Sequence, residues 1–242
     1  MTSFLIFSQQ QDTTISGIKV GFRYSISIFP PEWQVAPISA KGEPMDVKEI
    51  PRMKKVMTLA LAKYPQRVLS DNLLAVHFLK VMKFFNVSYG GTNSNDVIYL
   101  VNNGKLEGYT DEYLEQTFHH ELSSILLRNF ADLLDTTAWK KNNEPGFEYN
   151  DPENGVGAIR NNQSSQELDT NWCEKGILTQ YASSSIENDV NTIAQNLFCP
   201  DADFWKYTDR YPRLKEKVKM LIAFYSRLHP LLTEDYFRKF AR

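Results

Sequence analysis

Only two cysteines occur in the 242 residues, Cys173 and Cys199. That excludes a disulfide framework and a clustered thiolate metal site, and leaves open whether the two pair or stand as separate buried thiols. No run reaches the roughly eighteen apolar residues that span a bilayer. Residues 3–7 are apolar but short and lack a basic leader, so they read at most as the tail of a secretion signal. Charge of one sign is also missing. The net charge is −2, and without a concentrated basic face there is no case for nucleic acid. Acids outnumber bases over residues 141–190 and bases outnumber acids over 207–242, read as two solvated surfaces of opposite sign. Tyr89-Gly90-Gly91-Thr92 has neither a P-loop lysine nor dinucleotide-binding spacing. Ser183-Ser184-Ser185 has no G-x-S-x-G elbow around it, and helix capping accounts for it.

What remains is an ordinary globular composition, 42% hydrophobic and 23% charged, long enough to bury a substantial core. Residues 14–29 alternate apolar and polar as a long half-buried strand, ended by Pro30-Pro31. A loop over 32–50 leads to a helix over 52–64 that Pro51 opens. Residues 73–84 read as a strand in preference to a short helix, and 97–101 as a short strand closed by Asn102-Asn103-Gly104. Residues 140–170 form a long polar excursion. Helices follow over 187–197, over 211–228 behind Pro212, and over 233–240. Strands first and helices later indicate an α+β fold. Residues 1–50 read as an N-terminal segment and 51–242 as the main domain, with one continuous domain as the alternative.

Residues 109–134 are the centre of this plan. Thr110 is a plausible N-cap, and Leu114, Phe118, Leu122, Ile125 and Leu126 recur at helical spacing, so one face is buried. At its middle stands His120-Glu121-Leu122-Ser123-Ser124. A zinc-hydrolase helix uses H-E-x-x-H, because residues four apart project from one face and two imidazoles then grip one ion beside a glutamate base. Here the fifth position is Ser124. His119 points about 100° around the helix from its neighbour and does not replace it. His77 reads as a hydrogen-bonded core histidine, and His229 as a helix-end residue.

The sequence resembles a family of zinc-binding metallopeptidases of zincin type, cell-envelope lipoproteins of Bacteroidetes. The residues that carry this are Ile98-Tyr99-Leu100, Thr117-Phe118-His119-His120-Glu121, Ile125-Leu126, then Trp172, Gly176, Tyr181-Ala182 and Glu187-Asn188-Asp189-Val190, with the basic helix from 212 to 225 closing the pattern. The resemblance implies a zincin-like α+β fold: a small mixed sheet with an edge strand on a long central helix, and a mainly helical C-terminal half. It implies a cell-envelope location, association with an outer-membrane nutrient-import complex, and Ile98, Tyr99 and Leu100 as the substrate edge strand. It places the first zinc ligand on His120, the base on Glu121, the second ligand on Ser124 and the third on Thr192. Neutral hydroxyls bind Zn²⁺ far more weakly than imidazole or carboxylate.

Two readings therefore compete. In one, the chain is a degenerate zincin homologue without zinc at full occupancy, Glu121 is vestigial, and the protein binds a peptide or envelope partner by strand addition along 97–101. In the other, it is a zinc-dependent hydrolase with an atypical ligand set of His120 with Asp189, Glu187 or His119. A third alternative is an unrelated α+β binding domain whose histidines belong to its core.

Overall fold

The structure, a computed structural model, describes residues 12–151 and 153–241; the apolar run at 3–7 lies outside them. The chain forms two compact units that divide between Ile125 and Leu126.

The first unit is built on a seven-stranded mixed sheet. Its strands are β1 (Thr13–Ile15), β2 (Ile18–Gly21), β3 (Lys41–Pro44), β4 (Ala75–Phe84), β5 (Val87–Ser88), β6 (Gly91–Asn93) and β7 (Val97–Val101). The order is β1-β2-β4-β7-β6, with β3 and β5 also on β4. β4 pairs in parallel with β2 and β7, and the remaining pairs are antiparallel. Residues 13–44 supply three strands of this sheet.

The long strand expected over 14–29 is instead a hairpin followed by a 3-10 turn at Ile26–Ile28. Ser16 and Gly17 both have positive φ, 48° and 76°, which matches a two-residue turn to the twist of its strands. The strand reading of 73–84 holds, as β4. β7 is not an edge. It pairs with β4 on one side and β6 on the other, and Ile98, Tyr99 and Leu100 are at most 1% exposed. The edge is β6, whose Gly-Thr-Asn reads as turn chemistry in sequence.

Three helices complete this unit. α1 (Ile50–Leu61) carries Pro51 in its first turn and buries Met53, Val56, Met57 and Ala60; α2 (Gln66–Asn72) follows. α3 (Asp111–Asn129) starts at Thr110, whose Oγ1 accepts a hydrogen bond from Tyr113 N at 3.1 Å. It ends at Asn129, five residues earlier than the sequence pattern implies, because Phe130 leaves the helical backbone region.

The second unit is helical: α4 (Thr136–Lys141), α5 (Val156–Arg160), α6 (Thr170–Glu174), α7 (Ile186–Phe198), α8 (Phe204–Arg210), α9 (Pro212–Leu228) and α10 (Glu234–Arg238). Ser185 caps α7 by accepting from Asn188 N at 3.1 Å. Phe198 packs edge-on against Tyr225 and Phe237 to centre the core. The excursion over 140–170 is more ordered than its composition implies, since Asp151 Oδ2 accepts from Gly155 N and Ala158 N and anchors α5. Cys173 and Cys199 are buried thiols that form no disulfide with each other. Among the described residues no helix is long and apolar enough to cross a membrane.

Candidate functional site

The histidine helix exposes little of its chemistry. On α3, His119 is 0% exposed, His120 7%, Glu121 8%, Ser123 0% and Ser124 3%. Leu122 and Ile125, interleaved with them, are fully buried, so apolar packing holds these polar groups in place. Glu121 Oε2 accepts from Asn93 Nδ2 of the edge strand at 2.6 Å. Gly91 of the same strand passes so close that a Cβ there would stand 2.5 Å from Thr117 Cγ2 and 2.9 Å from Glu121 Oε1. The edge strand thus rests directly on the glutamate, as the expected strand-on-helix arrangement requires, but through β6.

His119 belongs to a separate buried cluster. Its Nδ1 lies 2.9 Å from Tyr64 OH, and its Nε2 approaches Glu115 Oε1 at 3.5 Å. We assign the Nε2–H tautomer, so that the phenol donates to Nδ1 and the ring N–H faces the carboxylate. Burial pushes the His119 pKa down to about 4 against the pull of Glu115. Burial alone would raise the Glu115 carboxyl; the hydrogen bond and charge at His119 and the ion pair with Lys63 override this and bring it to about 2. At neutral pH the lysine supplies the lasting charge partner, because His119 is then neutral. Both ring nitrogens of His119 face partners within the core, which disfavours it as a substitute ligand.

In the second unit, the structure brings Asp189 to partners that sequence reasoning missed. Its Oδ2 accepts from Trp139 Nε1 at 2.8 Å, Tyr149 OH at 2.7 Å and Lys217 Nζ at 2.6 Å. Lys217 also donates to Gly176 O at 2.7 Å and lies 5.3 Å over the Trp139 ring. Neither Asp189 nor Lys217 is exposed. One signal was legible: Lys217 falls inside the buried stripe Leu214, Val218 and Leu221 of α9, where a lysine needs a partner. Glu187, two residues before Asp189 and so about 200° around the helix from it, accepts from Asn154 Nδ2 at 2.7 Å in a solvent-exposed contact. Thr192, fully buried one turn beyond Asp189, has no hydrogen-bond partner at Oγ1 among the described residues, nor has Asp189 at Oδ1. Nδ1 of His77, expected as a hydrogen-bonded core histidine, likewise has no hydrogen-bond partner among the described residues, and its ring stacks on Tyr99 at 5.9 Å.

A catalytic zinc asks more of its donors than hydroxyls give. Such a site takes three strong protein donors and keeps one position open. The expected positions here supply one imidazole, at His120, and two alcohols, at Ser124 and Thr192. Asp189, the carboxylate of α7 that stands three residues before Thr192, already holds a buried ammonium. Among the described residues no group of three or more His, Cys, Asp or Glu side chains is placed to hold a metal ion.

No family model matches the sequence, and no curated protein matches it. Among solved structures, a protein from Bacteroides caccae ATCC 43185, named as a "putative zinc-binding metallo-peptidase", matches with a TM-score of 0.57 at 15% identity, over 82% of this chain and 77% of that one. At that identity the likeness is one of fold, and the fold of this chain is metallopeptidase-like.

Proposed function

We propose that the chain is a zincin-like metallopeptidase homologue with an incomplete zinc centre, serving as a binding or structural component at the cell envelope. Ser124 carries this reading: an alcohol stands one helical turn beyond His120, where chelation from α3 needs a second imidazole. The occupied carboxylate of Asp189 supports it, since the other acid near the expected third position is engaged by Lys217, Tyr149 and Trp139. Envelope placement, lipid attachment and association with a nutrient-import complex rest on the resemblance of the sequence blocks named above. For a peptide partner, the strand to extend is β6, terminal in the sheet order, in place of β7.

The test is elemental analysis of the purified protein together with Glu121→Gln. The expected result is substoichiometric zinc and peptide hydrolysis at background level in both proteins. One zinc per chain, with hydrolysis abolished by Glu121→Gln, would establish the rival reading of a working hydrolase.

A further inference from the structure

A cavity of about 410 Å³ opens in the second unit, lined by none of the expected zinc-site residues. Trp172 of α6 and Tyr207 of α8 supply aromatic wall, and Glu167, Asp169, Thr170 and Gln180 supply polar wall. The acidic segment is held in place. An isolated bridge joins Leu168 to Thr179, and Asp169 Oδ1 caps α6 by accepting from Asn171 N at 2.8 Å.

The lining contains two carboxylates and no lysine or arginine. Among the described residues neither Glu167 nor Asp169 has an ion-pair partner. The nearby cations sit on the rings instead: Lys175 Nζ lies 4.9 Å over Trp172, and Lys206 Nζ lies 5.9 Å over Tyr207 while pairing with Asp203 at 3.1 Å. Both aromatic walls thus lie beside an ammonium in this fold, while the two carboxylates form no ion pair among the described residues. A planar cation that stacks on an aromatic ring and donates to two carboxylates in its own plane suits such walls better than a compact ammonium. The volume also exceeds a bare guanidinium and leaves room for an alkyl arm.

We propose that this cavity binds the guanidinium of an arginine side chain presented by a peptide. The site is independent of the zinc reading and stands or falls without it.

The test is calorimetric titration of the full chain with N-acetylarginine amide, with the uncharged isostere N-acetylcitrulline amide and the neutral disaccharide cellobiose in parallel. The arginine probe is expected to bind saturably with a Kd on the order of 1 mM, and the citrulline probe at least about tenfold more weakly. The double variant Glu167→Gln, Asp169→Asn is expected to lose at least about tenfold in affinity with its melting curve unchanged, because asparagine caps a helix as well as aspartate does. Tyr207→Leu should weaken the arginine probe as well. Citrulline binding within about twofold of arginine overturns the proposal, as does unchanged affinity in the double variant or no saturable heat up to roughly 20 mM probe. Preferential uptake of cellobiose overturns it too, and reassigns the cavity to a neutral polyol.

Discussion

Lys217 Nζ and Asp189 Oδ2 lie 2.6 Å apart, and neither side chain reaches solvent. Burial pushes the lysine pKa down, opposed by attraction to the aspartate, and the carbonyl of Gly176 accepts a further hydrogen bond from the ammonium. Removing one member strands the other's charge in the core. Lys217→Met should therefore lower stability by about 3–5 kcal/mol, read as a reduced urea midpoint. Adding Asp189→Leu to that variant should cost less than the sum of the single changes, because the unpaired charge disappears, although Trp139 and Tyr149 then lose their acceptor. Additive losses would show that the pair acts as two separate polar groups.

Tyr64→Phe removes the phenolic proton that satisfies His119 Nδ1 inside the core. A buried acceptor left without its donor costs about 1–3 kcal/mol. The loss should be visible by thermal melting at neutral pH. A change within a few tenths of a kcal/mol would mean that another donor reaches the ring.

The same cluster sets an acid limit. His119 titrates near 4 when folded against an ordinary value of 6.5, so between these values the unfolded chain binds more protons. Its contribution is complete above pH 6.5 and is lost as pH falls towards 4, an effect of about 3 kcal/mol. Glu115, held near 2 against 4.5, adds a further loss as pH falls below 4.5, with the same sign. His77, also depressed by burial, contributes in the same direction. The stability of His119→Gln, measured by urea unfolding from pH 7 to 4, should fall less steeply than that of the parent. Equal slopes would remove His119 from this account.

Gly91 lets the edge strand approach Glu121 and Thr117. Gly91→Ala puts a methyl group 2.5 Å from a branched side chain, so β6 or α3 has to shift, at about 1–3 kcal/mol. Hydrogen exchange should report the move as faster exchange of the β6–β7 amides. Unaltered exchange would show that the strand has slack.

Features set by neighbours in sequence were legible there. Thr110 caps α3, Ser185 caps α7, and Pro51 and Pro212 lie in the first turns of their helices, each needing only residues within one turn. The interior place of β7 was not legible, because its second partner is the three-residue Gly91–Asn93, which lacks the apolar alternation of a strand. Lys63 and Tyr64 meet Glu115 and His119 across more than fifty residues, and no local pattern announces such a pairing. The Ser124 departure, by contrast, is read directly from i, i+4 spacing, and α3 is helical through it.

That helical geometry permits a direct repair. Ser124→His completes H-E-x-x-H on α3, setting two imidazoles on one helical face beside Glu121. The parent at about 100 µM zinc should show no shift in stability, whereas the variant, with an affinity near 10 µM, should gain about 1.4 kcal/mol. His120→Ala in the repaired background should abolish the gain, which assigns it to the chelating pair. The new ring enters a position only 3% exposed, so the variant's metal-free stability has to be measured first and the zinc effect taken relative to it. If Ser124→His takes up no more zinc than the parent, the proposed function loses the observation it rests on.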